Sequence, residues 1–140
     1  MTRISFYKQA GSFDASLILA CRLVEKAYNT KQQVLCQVPN NDVAEELDHL
    51  LWATPETGFI PHGKGSSQMP VAVSVDALPG EHYQLLINLC TDIPKWFARF
   101  ERIIEIVHSD QDCEESKRAN FRYYKERGYA LEFFDLTAKK

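Results

Sequence analysis

Lys117, Arg118, Phe121, Arg122 and Lys125 recur at three- and four-residue spacing near the end of the chain, so a helix carries them on one face with Tyr124 at its border. Guanidinium groups interleaved with aromatic rings suit two chemistries. A fork-shaped cation beside an apolar floor receives the carboxylate of an acidic peptide, and aromatics in a cationic groove stack the bases of a single strand. The plainer alternative is a solvated basic face whose Lys and Arg stems cover nearby apolar surface. The stripe follows closely on Val107, the apolar end of a strand-like run, and that placement favours a pocket.

A second candidate lies between Leu51 and His62, where Trp52, Phe59, Ile60 and Pro61 stand in a proline-bounded loop. Loops are ordinarily polar, so this apolar surface either tucks under the domain as a satellite cluster or faces another protein. Aromatics on a proline-stiffened loop lose little entropy on binding, which suits the second role.

Catalytic chemistry finds less support. Gly11 follows the first strand-like run without G-x-G-x-x-G, and Gly63-Lys64-Gly65-Ser66-Ser67 lacks the spacing of a phosphate loop. A nucleotide-dependent enzyme therefore loses the glycines that let backbone amides approach phosphate. His49, His62, His82 and His108 are scattered, with no partner at metal-ligand spacing. Cys21, Cys36, Cys90 and Cys113 form no C-x-x-C pair and read as buried thiols of a reducing cytoplasm. No catalytic residue, metal site or cofactor is expected.

These groups must be positioned by ordinary elements. With 45% apolar and 25% charged residues, the 140-residue chain is expected to be one globular domain, 1–140. The net charge of −3 argues against coating of nucleic acid while leaving room for a local basic site. No run reaches the ~18 apolar residues of a membrane span, and the first residues lack the core of a signal peptide.

Ile4 to Tyr7, Gln33 to Val38, Val71 to Val75, Tyr83 to Cys90 and Ile103 to Val107 read as strands. Helices are expected from Asp14 to about Tyr28, from Asn40 or Asn41 to Leu51, from Asp92 through Phe100, and from about Asp112 to Arg127, stopped by Gly128. Ala53 to Pro70 holds half the glycines and half the prolines, so it reads as irregular. Continuous apolar strands alternating with helices predict a three-layer α/β/α domain, Rossmann-like without a nucleotide-binding motif, around a mostly parallel sheet of about five strands. The third strand is expected beside the second, and the later ones beyond the first.

Over essentially its whole length the sequence resembles the chi subunit of bacterial DNA polymerase III holoenzyme. The resemblance is carried by Ile4-Ser5-Phe6-Tyr7, by Leu51-Trp52-Ala53 with Pro55, and by Phe59-Ile60-Pro61-His62. It continues through Phe100 to Val107 and Arg118-x-x-Phe121-Arg122-x-Tyr124 to Gly128-Tyr129. It implies a cytoplasmic, non-catalytic accessory of the clamp loader with two protein partners and only indirect contact with DNA. One is a psi-like subunit, expected at Trp52, Phe59, Ile60 and Pro61. The other is the acidic C-terminal tail of single-stranded-DNA-binding protein, expected at Val107, Lys117, Arg118, Phe121, Arg122 and Tyr124. Two departures from the family pattern stand out: Phe121 replaces a more usual tyrosine, and a family lysine falls at Glu114, with Lys117 the nearest substitute. The alternatives are a nucleotide-dependent α/β enzyme and a domain that binds single-stranded nucleic acid directly.

Overall fold

The computed structural model describes residues 2–53, 62–64 (backbone only), 70–75 and 82–136. Its elements in chain order are β1 (Arg3–Lys8), α1 (Phe13–Asn29), β2 (Val34–Gln37), α2 (Asn41–Ala53) and β3 (His62–Lys64). They continue with β4 (Val71–Ser74), β5 (Leu85–Asn88), a 3-10 turn (Phe97–Arg99), β6 (Arg102–Val107), α3 (Gln111–Glu126) and β7 (Ala130–Asp135).

All seven strands belong to one parallel sheet in the order β3-β4-β2-β5-β6-β1-β7. From β1 to β2, and on to β3, the chain moves in one direction across the sheet. From β3 through β4, β5 and β6 to β7 it moves back. Because parallel crossovers are right-handed, opposite directions place their connections on opposite faces. Accordingly α1 and α2 pack on one face, against Val34, Cys36, Val73, Ile87, Ile104 and Ile106. The 3-10 turn and α3 pack on the other, over Ile4, Phe6, Leu86, Ile103 and Val107. This is the three-layer arrangement that the continuous apolar strands predict.

Three expectations are corrected. β4 does lie beside β2, but β5 and β6 stand between β2 and β1 rather than beyond β1. The crossover from β1 must therefore span three strand spacings, about 14 Å, which a helix of 17 residues, about 25 Å long, covers easily. The helix expected from Asp92 shortens to the 3-10 turn, because this connection steps only to the neighbouring strand. Phe97 and Phe100 still supply its core contacts. The sheet also gains two strands. β3 lies within the stretch read as irregular, and β7 follows Gly128 and pairs with β1 over six residues.

Local signals account for the ends of the elements. Asn40 Oδ1 accepts from the Val43 amide at 2.9 Å to cap α2, and Asp110 Oδ2 accepts from the Cys113 amide at 3.1 Å to cap α3. α1 instead begins after Ser12, and Asp14 stands in its first turn. Gly128, at φ +80°, lets the chain leave α3 and enter β7.

Candidate functional site

β1, β6 and β7 run side by side, with Lys8 paired in register to Val107 on one side and to Asp135 on the other. α3 lies over this edge and leaves a cleft of about 240 Å³ between itself and the strands. Phe6 and Val107 line it from the sheet, Phe121 from the helix and Phe133 from β7. The rings meet edge to face, Phe6 and Phe121 at 5.2 Å and Phe121 and Phe133 at 6.5 Å between centroids. Lys8, Glu114, Lys117 and Arg118 complete the lining. Arg118 is exposed, and among the described residues its guanidinium makes no ion pair.

Of the residues selected from sequence for an acidic tail, Val107, Lys117, Arg118 and Phe121 thus converge. Arg122 is exposed but does not line the cleft, since it lies farther round α3 than Arg118. Tyr124 needs a correction. It is 0% exposed, packed against Phe6 and Phe97, and offers no surface to a ligand.

Lys117 also differs from a solvated member of a basic face. With Cys113, Asn120 and Tyr124 it forms the buried stripe of α3, at helical spacing. Its ammonium donates to Glu105 Oε1 and to the Cys90 carbonyl, both at 2.6 Å. Glu105 is itself 0% exposed. Its Oε2 accepts from the Tyr124 hydroxyl at 2.8 Å and from Asn88 Nδ2 at 3.1 Å. Asn120 donates to the Thr91 carbonyl at 2.9 Å, tying the same helix to the loop after β5. A buried charge pair is tolerated only where hydrogen bonds satisfy the remaining lone pairs and protons, as they do here. The network therefore anchors α3 from beneath, with Phe121 one turn on from Lys117 and packed on Phe6, and Arg118 exposed at the rim of the cleft.

Burial first, and then the charge and hydrogen bond of Glu105, push the Tyr124 hydroxyl far above the usual phenol range. The unfolded chain can release this proton near pH 10, about the ordinary phenol pKa, while the folded chain holds it. Stability from this group is thus fully present below about pH 10 and falls as pH rises, by up to about 1.4 kcal/mol per pH unit. In thermal melts from about pH 9 to pH 11, wild type should lose stability more steeply than Tyr124→Phe. Parallel slopes would show that Tyr124 carries no such linkage.

The crevice beyond the C-terminal ends of β2, β5 and β6 is where α/β folds usually hold nucleotides. Here Phe13, Pro39, Asp110 and Asp112 line it together with His108 and Lys117, whose ammonium is already bonded to Glu105. Among the described residues no group of three His, Cys, Asp or Glu could hold a metal ion, and no helix is long and apolar enough to cross a membrane. At the other candidate surface, Trp52 stands in the last turn of α2 with 60% of its area exposed. Phe59, Ile60 and Pro61 lie outside the described residues.

Sequence reasoning overlooked Lys8, Phe6 and Phe133 as site residues. The Phe133-Phe134 pair soon after a helix stop was an available strand signal. For the network, the signal was Glu105 within Ile103-Ile104-Glu105-Ile106-Val107, a charge in an apolar strand that requires a buried partner.

Fold and cleft together define a Rossmann-like α/β protein that carries an aromatic-walled, cation-rimmed cleft at one edge of its sheet. The family model described as "DNA polymerase III chi subunit, HolC" matches residues 1–132, and the chain belongs to that family. It is 36% identical to DNA polymerase III subunit chi of Pseudomonas aeruginosa, over 94% of this chain and 95% of that one. The corresponding subunit of Haemophilus influenzae is 27% identical over 81% and 82% of the two chains. That of Escherichia coli is 24% identical over 81% and 80%.

Proposed function

We propose that this chi-family chain is a non-catalytic tether of the replicative polymerase. Its cleft receives the acidic C-terminal tail of single-stranded-DNA-binding protein, and the surface around Trp52 holds a psi-like subunit of the clamp loader. The observation that carries the reading is an exposed arginine, Arg118, beside a cleft whose floor and walls are Val107, Phe6, Phe121 and Phe133. A chain end with an apolar last residue and a free carboxylate matches both halves of that site. Many tails along one coated strand raise the effective concentration, so that a weak single contact suffices.

The test is fluorescence anisotropy with a labelled acidic peptide ending in an apolar residue. One-to-one saturation is expected. A single-stranded oligonucleotide of similar charge should not saturate, because the chain's net charge of −3 opposes it outside the cleft. Tight, steeply salt-dependent oligonucleotide binding without peptide binding would replace this reading with direct nucleic-acid recognition.

For the psi-like partner, support comes from exposed Trp52 and the apolar Phe59-Ile60-Pro61 run beside it in sequence. Truncating an anchor aromatic at an interface centre costs ~2 kcal/mol or more. Phe59→Ala should therefore abolish most co-purification with a psi-like subunit while thermal unfolding hardly moves. A variant that melts much lower yet still binds would make Phe59 a core residue instead.

A further inference from the structure

Lys8 ends β1 at the cleft, paired in register with Val107, and it reaches toward Glu114 on α3. The Lys8 ammonium and the Glu114 carboxylate stand 3.9 Å apart, too far for a hydrogen bond, with their side chains 37% and 34% exposed. A loose, half-solvated pair of this kind contributes little to folding. Unlike Lys117, whose ammonium is hydrogen-bonded within the buried network, Lys8 can exchange its partner at almost no cost.

We propose that Lys8 is a second anion-binding cation of the cleft, kept in reserve by Glu114, and that a side-chain carboxylate of the incoming peptide displaces Glu114 from it. This deepens the tail-binding reading and rests on it. Arg118 stands on the helix side of the same cleft and Lys8 on the strand side, so the two can engage separate carboxylates of one acidic chain end. Glu114, which lines the cleft, then acts as a built-in competitor. It holds Lys8 when the cleft is empty and repels part of the ligand's charge. Asp135 flanks Lys8 in register on β7 and adds a further negative group at that position. Lys8 therefore selects for a ligand with more than a single terminal carboxylate, and Glu114 sets how strongly such a ligand must bind.

The experiment uses the full chain and two labelled peptides: an acidic one, and the same sequence with Asp and Glu replaced by Asn and Gln, both with free C-termini. With the acidic peptide, Lys8→Met should weaken binding by about two- to fivefold, and Glu114→Gln should strengthen it by about twofold, the range of solvent-screened charge pairs. Lys8→Met should cost more in the Glu114→Gln background than in wild type, since the competitor is gone. With the amide-substituted peptide the Lys8 effect should vanish, while Arg118→Ala still weakens binding. Raising salt should shrink the Glu114 effect. Unchanged affinity in Lys8→Met, or changes in melting temperature alone, would make the pair a structural clasp and overturn the inference with the tail reading intact. Absence of wild-type binding to either peptide would overturn both.

Discussion

Replacing Lys117 by methionine should destabilise the protein by about 3–5 kcal/mol, the cost of leaving a buried partner charge uncompensated. Glu105 is fully buried, and without the ammonium at 2.6 Å its carboxylate keeps only Tyr124 and Asn88 as donors. The carbonyl of Cys90 also loses the Lys117 hydrogen bond, which adds to the penalty. For a chain of this size the loss should appear as a fall in Tm of roughly 10–15 °C. Adding Glu105→Gln should restore more than half of it, because a neutral amide no longer demands a countercharge. The double variant should also bind the acidic tail nearly as well as wild type, since the Lys117 ammonium is held within the network and the exposed cation on the helix side of the cleft is Arg118. Denaturant unfolding of both single variants and the double variant checks this. If Lys117→Met unfolds within about 1 kcal/mol of wild type, the network anchors nothing and α3 is held by its aromatic contacts alone.

That network marks the boundary of what could be read from sequence. The strands β1, β2, β4, β5 and β6 were legible because each is buried on both faces and reads as an apolar run. α1, α2 and α3 were legible from their spacing, and α3 also from Gly128. Strand order was not legible, because periodicity says which residues are buried and nothing about which strand lies beside β1. β7 is an exposed edge, so its apolar signal is diluted by Glu132 and Asp135, and Phe133 was lost as a site residue with it. Lys117 was placed on the basic face because a lysine at helical spacing with Arg118 and Phe121 reads as solvated. Only the tertiary position of Glu105 turns it inward. Tyr124 was misplaced for the same reason. Its place at the border of the basic stripe suggested a surface, whereas its hydroxyl satisfies a carboxylate in the core. Arg118 and Phe121 share the cleft at the spacing their helix imposes, and Val107 joins them from the apolar end of β6.

Arg118→Ala should weaken binding of an acidic tail peptide by roughly tenfold or more, since a charge-assisted hydrogen bond contributes ~1.5–3 kcal/mol. The upper part of that range requires the carboxylate to seat against Phe121 and Val107, where less water competes than on an open surface. Arg118→Lys should recover only part of the loss. An ammonium supplies the charge but cannot present two parallel donors to one carboxylate. Salt should weaken wild-type binding moderately, because the approaching charges are screened and the apolar contact is not. The decisive measurement is a four-way comparison in which the wild type and Arg118→Ala each meet a peptide with a free C-terminus and the same peptide amidated. If the guanidinium receives the terminal carboxylate, amidation should cost the wild type heavily and the variant little, because the two changes remove one shared contact. Lys8 does not confuse the result, because its contact is to a side-chain carboxylate that both peptides retain. Additive losses across the four would place the chain end elsewhere in the cleft. An Arg118→Ala variant that binds like wild type would return this face of α3 to solvent.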